Sequence, residues 1–165
     1  MKRVRIISLG LVCLLVMAVL SCERRETSPK ELPEEKAAGF VLNDINGQSV
    51  ELDDFIGKKI ILLTFFTTWC PHCRQQIPEL NAVKNEYKDV EVISIDIQES
   101  EKKLRSFIDE YKINYTVLMD KDSKVAKEYN VLGIPHVVII DRKGKIRFRG
   151  VQPQGGFKKF IDRLM

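Results

Sequence analysis

Histidine and cysteine are scarce in this chain, with two and four residues respectively out of 165. That scarcity is exclusive. A structural zinc site normally takes four ligands, and no second C-x-x-C or histidine pair is available to join Cys70 and Cys73. Haem attachment requires a histidine directly after the second cysteine, but Arg74 stands there. A disulfide-stapled scaffold needs bridges that close long loops, and the one close pair, Cys70-Pro71-His72-Cys73, closes a very short one. A basic stripe with interleaved aromatics is also missing, so nucleic-acid binding has no support. Lysine and arginine number 27 against 23 acidic residues, and Lys2, Arg3 and Arg5 account for most of the excess.

The long apolar run is short of a membrane span. "MKRVRIISLGLVCLLVMAVLSC" opens with a basic region, continues apolar from Ile6 to Leu20 and ends on small Ser21. A spanning helix needs roughly 20 apolar residues, so residues 1–21 read as a signal peptide. The "VLSC" ending resembles the bacterial lipobox, which makes Cys22 the lipidated first residue of the mature protein. The alternative is an uncleaved N-terminal anchor. Either way the domain is expected outside the cytoplasm, in the periplasm or on the outer face, and tied to a membrane. Cys13 lies in the discarded stretch, which leaves Cys70 and Cys73 as the thiols. Residues 22–38 are charged, contain Pro29 and Pro33, and read as a disordered tether.

Residues 39–165 carry the pattern of one folded domain, and 44% hydrophobic content is enough for a core. "FVL" and "VEL" flank Asn46-Gly47 as a β-hairpin. Ile60 to Phe66 is a continuous apolar run that fits a strand buried on both faces. A helix follows from the cysteine motif, with Ile77, Leu80, Val83 and Tyr87 at helical spacing and Pro78 predicting a kink. Val90 to Ile97 is a strand. Ser100 then caps a helix bearing Leu104, Phe107, Ile108 and Tyr111. "YTVLMD" is a strand, 122–129 a short helix, and "IPHVVIID" and "KIRFRG" are strands joined by "DRKG". Phe157, Phe160, Ile161 and Leu164 mark a last helix. The alternation predicts an α/β fold, a central mixed sheet with helices on both faces.

The remaining use of a lone C-x-x-C is redox chemistry. Cys70 ends a strand, and Pro71 suits the first turn of the helix. Free N–H groups and the positive end of the helix dipole favour Cys70 as a thiolate. Cys73, about one turn on, is placed to resolve a mixed disulfide. His72 between them tunes the pair, since a stabilised thiolate makes the disulfide more oxidising.

"FFTTWCPHCRQQIPEL" together with "LGIPHVVIIDRKGKI" resembles the membrane-attached, thioredoxin-like TlpA/ResA family of thiol–disulfide oxidoreductases. The likeness runs from Gly39 to Met165 and includes the N-terminal hairpin and a helix-strand insertion from Ser100 to Met119. It implies a cis Pro135 facing the disulfide, an Ile134 backbone that pairs with an extended substrate, and Trp69 beside the nucleophile. His136, which follows this proline, either joins the substrate-binding group or passes a proton to Cys73, or else merely opens a strand with its side chain on the outer face. It further implies protein thiols and disulfides as partners, a membrane electron-transfer partner, cytochrome c maturation as a setting, and no cofactor. Two positions depart from the relatives: Thr64 stands where thioredoxin has a buried acid, and Gln76 where ResA-like members have a glutamate. The Pro-His dipeptide resembles that of the oxidant DsbA, which points to a couple nearer about −120 mV than about −270 mV. Two histidines flanking two thiols leave a second possibility open, a copper or zinc chaperone or sensor built on Cys70, Cys73, His72 and His136.

Overall fold

The computed structural model describes residues 35–165. The signal peptide, Cys22 and most of the expected tether lie outside the described residues. The elements are β1 (Val41–Asp44), β2 (Ser49–Glu51), a 3-10 turn at Leu52–Asp54, β3 (Ile60–Phe66), α1 (Pro71–Glu86), β4 (Val90–Ile97), α2 (Glu101–Tyr111), β5 (Thr116–Asp120), α3 (Lys124–Glu128), β6 (His136–Ile140), β7 (Ile146–Gly150) and α4 (Gly156–Asp162). α1 runs on through Pro78. None of the described helices is long and apolar enough to cross a membrane.

Seven strands form one mixed sheet in the order β2-β1-β5-β4-β3-β6-β7. β3 pairs in parallel with β4, and β4 with β5, while β6, β7, β1 and β2 join antiparallel. The β1–β2 turn uses Gly47 at φ +81°, a left-handed conformation that glycine adopts at no steric cost. Asp44 closes this turn by accepting hydrogen bonds from the Asn46 and Gln48 amides, each 2.8 Å.

β3 is buried along its whole length, as its unbroken apolar run requires. Alternate residues feed two cores. Ile60, Leu62 and Phe66 pack with Ile77, Leu80, Leu104 and Phe157 under α1, α2 and α4. Ile61, Leu63 and Phe65 pack with Val125 and Tyr129 on the other side, at α3. The fold is the thioredoxin-like α/β architecture that the sequence predicts.

The expected tether gives way earlier than residue 38. Glu35 accepts a hydrogen bond from the Ile146 amide at 2.8 Å, and the Ala37 amide donates to Gly144 at 2.9 Å. Lys36 bridges Lys145, and the Tyr129 hydroxyl donates to the Ala38 carbonyl at 2.7 Å. Backbone pairing and the apolar contacts of Ala37 and Ala38 make residues 35–38 part of the folded body. Low hydrophobicity alone could not reveal this, because the partners are supplied by the β6–β7 hairpin.

Parallel pairing of β3 and β4 sets their carboxyl ends side by side, with Phe66 opposite Asp96. β6 starts at that same end, with His136 opposite Phe65, and β7 finishes there, with Gly150 opposite Val137. Loops leaving the strands at 67–70, 98–100, 130–135 and 151 therefore converge. Carboxyl ends of sheet strands are where α/β proteins build their sites.

Candidate active site

Cys70 is the N-cap of α1, in extended conformation, and Pro71 occupies the first turn. It is joined to Cys73 in a disulfide with a Cα–Cα separation of 5.3 Å. The Cys73 amide donates to Cys70 Sγ at 3.2 Å. The amide that would otherwise be an orphan of the first helical turn thus points at the Cys70 sulfur. Both cysteines are largely buried, at 4% and 5% exposure, whereas Trp69 beside them is 62% exposed.

The Ile134–Pro135 bond is cis, as the family likeness implied. Pro135 lines one cavity with Cys73, Thr64, Gln76, Phe107 and Tyr115. The two departures from the relatives both sit here. Thr64 Oγ1 is hydrogen-bonded to Ser94 Oγ at 2.7 Å, and Gln76 Nε2 donates to the Val151 carbonyl at 2.8 Å. Neutral side chains therefore stand at both of these positions in the cavity behind Cys73. Ile134 is half-buried and packs against both cores.

The histidines part company. His72 is exposed on the first turn of α1, 3.3 Å from Gln75 Oε1 through Nδ1. His136 opens β6 on the side of Val138 and Ile140, the core opposite the cysteines, and packs edge-on against Phe65 at 6.0 Å. Burial and then the Arg149 guanidinium push His136 below the ordinary histidine range. The expectation that both histidines flank the sulfurs is corrected: strand alternation sends successive side chains to opposite faces, and Val137 takes the cysteine side. His136 is thus not placed as a substrate contact at the disulfide, and the Cys2His2 set for copper or zinc is not assembled. Among the described residues no group of three His, Cys, Asp or Glu side chains is arranged to hold a metal.

Three polar residues that sequence reading did not single out hold the loop before Cys70. Arg74 donates to the Thr68 carbonyl through Nε at 3.0 Å and Nη2 at 2.8 Å. Glu99, just ahead of α2, accepts from the Thr68 amide and from the Thr68 hydroxyl at 2.8 Å. Beneath it lies Asp96, 1% exposed, whose Oδ2 accepts the Glu99 amide at 3.1 Å. Burial, then the adjoining Glu99 carboxyl, push Asp96 up to about 7. For Glu99, burial alone would raise the value, but hydrogen bonds from Lys103 and Thr68 outweigh it and hold the group below the usual carboxylate range. The available signal was the position of "DIQE" at the end of an apolar strand, where sites are built.

The arrangement can exchange two electrons with an external dithiol or disulfide: one sulfur at a helix N-terminus, a second one turn away, and an exposed tryptophan alongside. Comparisons with known proteins agree. Residues 33–149 match the AhpC/TSA family. A thiol-disulfide oxidoreductase ResA of Bacillus thuringiensis subsp. konkukian is 31% identical over 133 residues, covering 78% of this chain and 76% of its own. The thioredoxin-like protein YneN of Bacillus subtilis is 36% identical over 117 residues, 68% of each. Among solved structures, a thiol:disulfide interchange protein DsbE from Chlorobium tepidum superposes with a TM-score of 0.70 at 27% identity, over 79% of this chain and 93% of that one. A secreted Mycobacterium tuberculosis disulfide oxidoreductase gives 0.66 at 25%, over 76% and 93%. The chain belongs to the AhpC/TSA family, and within it to the ResA-like thiol–disulfide oxidoreductases.

Proposed function

We propose that this oxidoreductase works outside the cytoplasm, held to a membrane by lipid on Cys22, and exchanges disulfides with envelope proteins through Cys70. The basic-apolar N-terminus and its "VLSC" ending support the location, and one structural relative is described as secreted. The observation that carries the mechanism is the Cys73 amide aimed at Cys70 Sγ from the first turn of α1.

In the reducing direction, the Cys70 thiolate attacks one sulfur of a substrate disulfide. That bond breaks, a new Cys70–substrate disulfide forms, and the expelled substrate thiolate takes a proton. Cys73 then loses its proton and attacks Cys70 Sγ, which releases the second substrate thiol and leaves the Cys70–Cys73 bridge. Two electrons pass from the pair to the substrate, and the oxidising direction runs these steps backwards. Trp69 and the Ile134-Pro135 segment border the sulfurs and receive the substrate chain. A membrane thiol donor or acceptor returns the pair to its starting state, and apocytochrome c is one candidate substrate.

His72 sets the direction. An N–H donor two residues from Cys70, between the two cysteines, stabilises the thiolate and raises the potential. With neutral Thr64 and Gln76 behind Cys73, the pair works as an oxidant or isomerase, in the range of about −120 to −180 mV. Equilibration of the full chain in defined glutathione buffers tests this. A value near about −270 mV would instead make it a reductant fed by a membrane donor. For the mechanism, a tagged Cys73→Ala chain expressed in its own envelope captures partner proteins as DTT-sensitive adducts. Recovery of no such adducts counts against Cys70 as the attacking residue.

A further inference from the structure

Asp96 is a buried carboxyl that the exchange reaction does not use. It stands on β4 opposite Phe66, on the sheet face that carries Val90, Val92 and the cysteines. One oxygen, Oδ2, accepts the Glu99 amide, and the other, Oδ1, is buried with no hydrogen-bond partner among the described residues. The charged groups near it are few. Glu99 adjoins it, Lys103 of α2 pairs with Glu99, and Arg74 of α1 reaches the same loop through the Thr68 carbonyl. Its cross-strand neighbours, Phe66 on β3 and Met119 on β5, are uncharged.

Asp96 holds the backbone amide of Glu99, and both side chains are almost fully buried. Two carboxylates placed so near each other out of water cannot both ionise at ordinary cost. Glu99 is the one that stays charged, because three donors converge on it: the Thr68 amide, the Thr68 hydroxyl and Lys103. The proton then belongs to Asp96. From this geometry we propose that Asp96 and Glu99 share one proton and serve as a positioning pair for the redox loop, with Asp96–H keeping the Glu99 anion seated on Thr68, two residues before Cys70.

The consequence is control of the loop by pH, resting on the redox reading of the Cys70–Cys73 pair. Removal of the shared proton leaves two facing anions. Their repulsion lifts Glu99 from the Thr68 amide and loosens the entry to Trp69 and Cys70. The added negative charge also disfavours a thiolate nearby. As the pH rises from 6 to 8, the proton on Asp96 is lost and the couple shifts toward the disulfide. Thr68 is the point of leverage because its N–H and hydroxyl are held from the Glu99 side and its carbonyl from α1 by Arg74.

The test uses the full chain in detergent and reads Thr68 directly. Amide hydrogen exchange at Thr68 is followed at pH 6 and pH 8, referenced to the buried amides of β3 in the same sample. In the native chain Thr68 loses about tenfold protection relative to β3 over this range. Asp96→Asn, a permanent stand-in for the protonated acid, retains protection at both pH values. Glu99→Gln loses it at both. In parallel, the glutathione equilibrium of the native chain moves a few-fold toward the disulfide relative to Asp96→Asn between pH 6 and 8. An Asp96→Asn chain that loses protection as the native chain does overturns the proposal, and so does a native Thr68 that tracks β3 throughout. Should Glu99→Gln fail to fold, the comparison of the native chain with Asp96→Asn decides alone. Failure of the oxidoreductase reading is separate: no thiol exchange with glutathione in any chain, whatever Thr68 does.

Discussion

Glu91 offers a sharp test of how charge is held at the far end of the sheet. It is 5% exposed on β4 and accepts hydrogen bonds from Lys59 at 2.8 Å, Lys84 at 3.0 Å and Thr116 at 3.3 Å. Burial alone would raise its pKa, but the bonds from Lys59 and Lys84 together outweigh burial and hold it below the ordinary carboxylate range. The perturbation is Glu91→Gln, which keeps shape and one acceptor but removes the charge and turns an N–H₂ toward a lysine. Hydrogen bonds to charged groups contribute about 1.5–3 kcal/mol each. The lysine side chains are about one-third exposed, at 33% and 30%, so solvent screens part of this. The expected loss at pH 7 is about 2 kcal/mol. With a urea slope of about 2 kcal/mol/M, the unfolding midpoint falls by about 1 M. The sign with pH is determined: a carboxyl lowered in the folded state stabilises above its unfolded pKa, and that contribution disappears as pH falls through the folded value. Native and Glu91→Gln midpoints therefore converge as the pH is taken below 4.5, the ordinary value for this group. Urea unfolding at pH 7 and again near the acid limit of the folded chain decides it. A midpoint difference that is absent at pH 7, or that is undiminished in acid, refutes the reasoning.

Other outcomes follow from contacts at and behind the site. His72→Ala moves the glutathione equilibrium about tenfold toward the dithiol's reoxidation, about 30 mV lower in potential, while His136→Ala leaves it unchanged because that ring lies on the other sheet face; equal shifts in both variants would contradict the assignment. Asp120 is fully buried and accepts the Val125 amide at 3.3 Å and the Ala126 amide at 2.8 Å. Asp120→Ala leaves those donors of α3 unpaired and costs about 2 kcal/mol in denaturant unfolding. Tyr129→Phe removes the bond to the Ala38 carbonyl and costs about 1 kcal/mol. A chain lacking residues 1–38 then shows no further loss from the same substitution, because the acceptor is gone.

Much of the molecule is legible in one dimension because its signals are local. A lone C-x-x-C after an apolar run, with proline at the helix start, specifies a thiolate at a helix N-terminus whatever the rest of the chain does. The unbroken apolar run of β3 and the helical spacing of Leu104, Phe107 and Ile108 likewise report burial directly, and together with the distant Ile134-Pro135 they identify the family. Other features depend on contacts that sequence spacing does not encode. Residues 35–38 look like linker because they hold no large apolar side chain, and their backbone partners come from the β6–β7 hairpin and the Tyr129 hydroxyl, remote in sequence. His136 shows the limit most clearly. "HVVII" is apolar on both faces, so it has no alternation from which to read which side the ring takes, and one residue of register separates a place at the sulfurs from a place beside Phe65. Asp96 and Glu99 stand more than twenty positions from Cys70 in the chain, and the parallel pairing of β3 with β4 alone brings them under its loop. The sequence by itself determined the chemistry of the two sulfurs, since that depends on neighbours along the chain. Which acids and which histidine surround those sulfurs was decided by strand order and register, because side chains remote in sequence meet only when the sheet closes.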